Sequence, residues 1–323
     1  MIAYRAPAWL PGGHAQSIYP LLIKPEPYAY RRERWETPDQ DFIDLDWNEA
    51  IGSTQGTKTT PLVVLLHGLE GSSNSYYALS LMHALKAIGW GGVVVHFRGC
   101  SGEANRLPRA YHSGDSEEID WILRRLKQDL PDRPLYAMGV SLGGNVLLKW
   151  LGERGSSAGS VLCAAAAISA PVDLTVCGHA LGRGFNRIYT RHFLHTLKPG
   201  AAAKLKRFPG LFDGSGLSGV NTVYAFDNLV TGPLHGFSGA DDYWRRASSK
   251  PWLAGIGVPT LVLNALNDPF LPAQALPRPD QVSANVKLEF PPQGGHVGFV
   301  TGSFPGRIDW LPQRVLCFFQ HGI

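Results

Sequence analysis

The chain has 323 residues, and its 30 Lys and Arg against 26 Asp and Glu give a formal charge of +4, too slight, without any basic tract, to argue for a nucleic-acid partner. Charged residues are 17% and apolar residues 44%, which excludes global disorder and supplies a large core. The 37 glycines and 24 prolines exclude a coiled coil or a plain helical bundle, and the longest wholly apolar run, 161–168, is far below the roughly 18 residues of a membrane span.

The N-terminus shows no basic start followed by an apolar stretch, so no secretory signal is expected. Cys100, Cys163, Cys177 and Cys317 are scattered, with no Cys-x-x-Cys pair. That argues for a reduced, cytoplasmic setting and against a zinc site or a disulfide framework.

No internal repeat is present. Residues 42–47 alternate apolar and acidic, as a half-buried strand should. A Gly/Ser/Thr-rich turn is expected over 52–60. Residues 62–66 are wholly apolar, the pattern of a strand covered on both faces in a parallel sheet. The following elements alternate: a helix over 75–88, a strand over 92–97, a helix over 114–128, a strand over 135–140, a helix over 143–153 and a strand over 161–169. After a break come strands at 259–264 and 286–290 and a closing helix at 309–321. This order predicts an α/β fold with a doubly wound, mostly parallel sheet.

The break, 171–257, shows only helical patches, at 185–194, 201–206 and 240–248. It is too long for a connecting loop. It is expected to be a helical cap inserted into a core made of 1–170 and 258–323; the alternative is a second domain with its own core. Phe185, Ile188, Phe193, Phe237 and Trp244 would give such a cap an apolar lining.

Gly139-Val140-Ser141-Leu142-Gly143 fits G-x-S-x-G, in which a serine sits on a sharp strand-to-helix turn and side chains two residues away would clash. A second match centres on Ser157, but that site follows a helix rather than a strand. Ser141 is therefore the expected nucleophile. A serine hydroxyl needs a base, and His296, in a glycine-flanked loop after the last strand, is placed to supply it. The base needs an acid to fix its tautomer. Asp268, just past the strand at 259–264, is the candidate, and Asp173 is its rival, with a helix cap as its other reading. The oxyanion requires backbone N–H donors. Leu142 follows the nucleophile, and Leu69 lies in the loop after the first buried strand, which His67 is expected to brace.

Several features point elsewhere and are weaker. Gly214-Ser215-Gly216-Leu217-Ser218-Gly219 formally fits a dinucleotide motif but follows no strand. His192 and His195 are three apart on a helical patch, without the Glu of a metalloprotease motif. Residues 204–207 read as a solvated basic helix face. A serine at 141 rules out the dehalogenase and epoxide-hydrolase chemistries, which need an acid there. A non-catalytic scaffold would be expected to lack a triad member. No cofactor or metal is expected.

Taken together, these residues resemble the α/β-hydrolase superfamily, and specifically its YheT-like branch. The resemblance runs from Pro11-Gly12-Gly13-His14-Ala15-Gln16-Ser17 through the segments at 67–72, 98–102 and 139–145. It continues with Phe226-Asp227, Thr231, Pro233, Gly236-Phe237 and 241–244, and ends with 267–270 and 295–299. It implies a serine carboxylesterase or lipase-like enzyme without a cofactor, with Ser141, Asp268 and His296 as its triad. The expected substrate is a small ester with an apolar part. A thioesterase or acyltransferase with the same triad remains the alternative.

Overall fold

The computed structural model describes residues 3–23, 25–48 and 59–322. Among them, eight strands form one sheet: β1 (Arg31–Glu36), β2 (Phe42–Trp47), β3 (Leu62–Leu66), β4 (Gly91–Val95), β5 (Leu135–Val140), β6 (Ala164–Ile168), β7 (Thr260–Leu263) and β8 (Val286–Glu289). Their spatial order is β1-β2-β4-β3-β5-β6-β7-β8. β2 is antiparallel to both β1 and β4, and all other pairs are parallel. The turn expected over 52–60 falls mainly on 52–58, outside the described residues.

The strand order dictates where the helices lie. The helices are α1 (Gly13–Ile18), α2 (Tyr76–Ala87), α3 (Ser116–Asp129) and α4 (Leu142–Arg154). The chain moves one way from β3 to β4 and then crosses β3 to reach β5 and β6. Right-handed crossovers taken in opposite directions put their helices on opposite faces. Accordingly Leu81 and Leu85 of α2 pack with Val63 and Leu65. Ile122 of α3 and Leu147 of α4 pack with Leu62, Val64 and Leu66 on the other face. With both faces covered, β3 has no polar position, which is why its sequence is continuous Leu and Val. The reversal beside β3 opens a crevice at the carboxyl ends of β3 and β5, where ligands of such sheets bind.

Between β6 and β7 the chain is helical: α5 (Leu174–Leu181), α6 (Arg187–Arg207), α7 (Val223–Phe226), a π turn (Asp227–Thr231), α8 (Gly232–Leu234) and α9 (Ala240–Ala247). α6 runs unbroken through Pro199, where the sequence suggests two separate patches. A small apolar cluster, including Leu194, Phe212, Leu217 and Phe226, forms within this segment. Cys177 of α5 packs on Phe270 and Leu271 beyond β7. The closing helix is α10 (Trp310–His321), on the α2 face.

β1 is absent from the sequence reading. Its residues are Arg-Arg-Glu-Arg-Trp-Glu, of which only Trp35 is buried. It is an edge strand whose outer side needs no apolar pattern. Arg32 and Arg34 make two-pronged pairs with Asp46 and Asp44 of β2.

Candidate active site

Ser141 lies between β5 and α4 with φ 52° and ψ −117°, a left-handed conformation that costs a non-glycine residue about 1–3 kcal/mol. Packing enforces it. A Cβ on Gly139 would sit 2.4 Å from the Gly143 carbonyl oxygen, and one on Gly143 would sit 2.3 Å from that of Leu66. Glycine is thus obligatory two residues to either side. The Ser141 N–H donates to the Ile168 carbonyl at 2.8 Å, and its own carbonyl accepts from Asn145 N–H at 3.0 Å. The buried Asn145 side chain reaches the Ser113 and Ala247 carbonyls and the Ser249 N–H, which ties the start of α4 to its surroundings.

Three distant residues meet here. His296 Nε2 is 3.0 Å from Ser141 Oγ, and His296 Nδ1 is 2.8 Å from Asp268 Oδ2. A carboxylate only accepts, so Nδ1 carries the proton and Nε2 is left to accept from the serine hydroxyl. The second oxygen of Asp268 accepts from Phe270 N–H at 2.8 Å. The Phe270 ring lies over the imidazole, with centroids 4.1 Å apart and planes inclined at 25°. The Asp268 side chain is fully buried and His296 is nearly so. Asp173 instead caps α5, accepting from Val176 N–H at 3.2 Å. Ser157 is exposed in a 3₁₀ turn and donates to the Arg154 carbonyl.

The loop after β3 leaves a donor free beside the elbow. Among its described amides, Gly68 N–H donates to Tyr77 Oη, Glu70 N–H to Tyr111 Oη and Gly71 N–H to the Gly68 carbonyl. The Leu69 N–H has no acceptor among the described residues. The Gly68 carbonyl also accepts from His67 Nδ1–H at 2.7 Å. A planar peptide held at its oxygen on one side turns its N–H to the other. A Cβ on Gly68 would lie 3.4 Å from Ser141 Cβ, so this peptide runs against the elbow. His67 is fully buried, and burial pulls its pKa down to about 3. It is a neutral brace, with Nε2 accepting from Phe97 N–H. At the start of α4, Leu142 N–H is one of the amides a helix leaves unpaired.

The role of the N-terminal segment is not visible in its residue types. α1 packs against the loops that carry Asp268 and His296. The buried Gln16 Oε1 accepts from Asn267 Nδ2 and from Gly294 N–H, each at 2.9 Å. Ser17 Oγ accepts from His296 N–H at 2.8 Å, and Ser169 Oγ accepts from Val297 N–H at 3.1 Å. A Cβ on Gly13 would fall 1.9 Å from the Asn267 carbonyl oxygen. The only signal in the sequence is the run 11–17 itself, whose polar residues have no evident local use. Gln16→Leu orphans two donors at about 1–3 kcal/mol each. Urea unfolding is therefore expected to show a loss of at least about 2 kcal/mol, and an unchanged midpoint would contradict this bracing role.

A cavity of about 360 Å³ opens on Ser141 and His296 and is bounded by the loop after β3, the 98–113 segment and the helices between β6 and β7. Leu69 and Leu142 line it, with Phe193, Leu197, Phe226 and Trp244 among its apolar walls. Of the residues expected to form an apolar lining, Phe193 and Trp244 do so. Phe185, in the 3₁₀ turn before α6, and Ile188, in its first turn, are about half exposed. Phe237 packs on Tyr243 and Arg246. Residues 204–207 fit the expected solvated face only in part: Lys206 and Arg207 are exposed, but Arg207 also lines the cavity, as does the half-buried Lys204. The glycine-rich stretch at 214–219 is a 3₁₀ turn. His192 and His195 are exposed, and no cluster of three metal-binding side chains occurs among the described residues. None of the described helices is long and apolar enough to cross a membrane.

The sequence profile of the alpha/beta hydrolase fold matches residues 61–303. The chain is 41% identical to the putative esterase YheT of Escherichia coli, over 94% of this chain and 88% of that protein. It is 31% identical to the human phospholipase ABHD3, over 99% of this chain and 80% of that protein. Among solved structures, the Pyrococcus furiosus esterase Pf2001 superposes with a TM-score of 0.58 at 16% identity, covering 91% of this chain and 93% of that one. The sheet order, the elbow and these matches agree, and the chain belongs to the alpha/beta hydrolase family, within its YheT-like branch.

Proposed function

We propose that this protein is a serine hydrolase that cleaves carboxylic esters through Ser141, His296 and Asp268. The observation that carries the reading is the unbroken chain of hydrogen bonds from Ser141 Oγ through the imidazole to Asp268, on an elbow facing a largely apolar cavity. Ser141 Oγ attacks the acyl carbon as its proton passes to His296 Nε2. The Leu69 and Leu142 N–H groups receive the oxyanion. As that oxyanion collapses, the alcohol leaves with the proton from His296. Water, deprotonated by His296, then attacks the acyl-enzyme and releases the acid, restoring Ser141. Asp268 holds the tautomer and stabilises the imidazolium.

Residues 171–257 act in this reading as a cap that roofs the acyl site, inserted into a core of 1–170 and 258–323. The likeness to an esterase and a phospholipase supports an ester of lipid or small-molecule type with an apolar acyl part. The four cysteines are free thiols, which suits a reducing compartment, and on that ground we place the protein in the cytoplasm.

A fluorophosphonate probe tests the reading directly. The expected result is stoichiometric labelling at Ser141, blocked by prior heat denaturation, together with hydrolysis of p-nitrophenyl esters. Absence of both from folded protein would leave a binding protein on a hydrolase fold. Matched oxygen and thiol esters, assayed with and without an alcohol acceptor, separate hydrolysis of esters from thioester cleavage and acyl transfer.

A further inference from the structure

We infer that the catalytic cavity contains an anion-accepting wall, formed by Lys204, Arg207 and His235, and that the preferred ester bears a carboxylate or phosphate away from the scissile bond. The inference rests on the ester-hydrolase reading of the same cavity and specifies its substrate class.

The first ground is uncompensated charge. Between Asp173 and Asp213 the sequence has seven Lys and Arg residues and no carboxylate. Two of the seven, Lys204 and Arg207, line the cavity one helical turn apart on α6. Lys204 Nζ donates to the Arg109 carbonyl at 3.0 Å, and Arg207 donates to the Asn105 carbonyl at 2.7 Å. Neither has a carboxylate within ion-pair distance among the described residues. Burial lowers the pKa of Lys204, and the neighbouring cations Arg207 and Arg98 lower it further, against the opposing field of Asp41. A half-buried ammonium without a counter-ion is costly, and an anion in the cavity would remove that cost.

The second ground is an orphaned ring nitrogen. His235 lines the same cavity, and its Nε2 is buried without any hydrogen-bond partner. Burial holds its pKa down to about 3, and the His112 ring, 4.5 Å away between centroids, opposes protonation too. His235 is thus a neutral imidazole, and in the tautomer protonated at Nε2 that nitrogen donates to a ligand oxygen.

The other charged groups of the wall already have hydrogen-bond or ion-pair partners. Arg98 is matched by Asp39, Asp41 and Glu118. Glu70 accepts from Tyr111 Oη, and Asp227 accepts from Thr231 and Trp244. Lys204 and Arg207 are thus the cavity's cations without a carboxylate partner, and the cavity they line also opens on Ser141, so one molecule can engage both regions.

The test pairs anionic and neutral esters of equal length. Mono-4-nitrophenyl adipate is set against 4-nitrophenyl hexanoate, and 1-octanoylglycerol 3-phosphate against 1-octanoylglycerol. The wild-type protein is expected to favour the anionic member by about ten-fold in kcat/KM in at least one pair, and the pair that shows it identifies the anion as carboxylate or phosphate. In Lys204→Gln/Arg207→Gln, which keeps a donor for the Arg109 carbonyl, the ratio of anionic to neutral kcat/KM is expected to fall by a similar factor. A ratio near one in both pairs, or one that survives in the double variant, overturns the inference.

Titration calorimetry on Ser141→Ala, with adipate and glycerol 3-phosphate as probes, separates the two readings. Anion binding that depends on residues 204 and 207, without any ester turnover in the wild type, would keep the wall and remove the hydrolase. Turnover of neutral esters without anion binding would do the reverse.

Discussion

Ser141→Ala is expected to lower kcat for ester hydrolysis by on the order of a million-fold, with the melting temperature close to that of the wild type. The size follows from the geometry. In the proposed mechanism the hydroxyl is the atom that bonds to the acyl carbon, and among the described residues it is the serine hydroxyl bonded to the His296 imidazole. Ser157, the other serine with the same flanking pattern, spends its hydroxyl on the Arg154 carbonyl. The stability effect is small because the elbow is held by the backbone bonds to Ile168 and Asn145 and by the glycines at 139 and 143, none of which the substitution touches. His296→Ala should cost a similar factor, and the double variant little more than either, because the two act as a unit. Steady-state rates on a p-nitrophenyl ester measure all three. A Ser141→Ala protein retaining even one hundredth of the wild-type rate would remove the nucleophile from the proposal.

The middle of the sheet was legible because its strands are buried on both faces. Runs such as Leu62-Val63-Val64-Leu65-Leu66 and the glycine spacing around Ser141 leave few alternatives, and the chain order Ser, Asp, His follows from the strands that carry them. Parts of the structure set by long-range contact were not legible. β1 has only Trp35 on its buried side and reads as a charged surface stretch. Gln16 and Ser17 look like ordinary helix residues until the loops at 267 and 294–296, some 250 or more positions away, are laid beside them. Lys204 and Lys206 are two apart on one helix, and only the packing of α6 over the 98–113 segment decides which of them faces the cavity. Pro199 misled in the opposite direction. Proline inside a helix removes one backbone bond and usually marks a break, yet α6 continues through it, with Leu194 and Ala201 on either side packed into one apolar cluster.

Asp268→Asn isolates the tautomer argument, and a fall in kcat of about ten-thousand-fold is expected. The amide replaces the carboxylate with almost no change in shape, so the loop should hold. Of the two positions, the one that accepts from Phe270 N–H at 2.8 Å must keep an oxygen, since an NH2 group there would meet a donor. The amide nitrogen is then turned towards His296 Nδ1. A donor at that place forces Nδ1 to become the acceptor and moves the ring proton to Nε2. That is the nitrogen which must receive the proton of Ser141, so the hydroxyl loses its base although every heavy atom is nearly where it was. Asp268→Ala removes the charge without imposing the wrong tautomer, and it should therefore cost less than Asn at the same position. A proton NMR resonance from the Nδ1–H of His296, strongly downfield in the wild type, is expected to vanish in Asp268→Asn. If Asn were instead to match the wild-type rate, Asp268 would be a structural residue of its loop, and the imidazole would be oriented by its backbone tie to Ser17 and the ring of Phe270 alone.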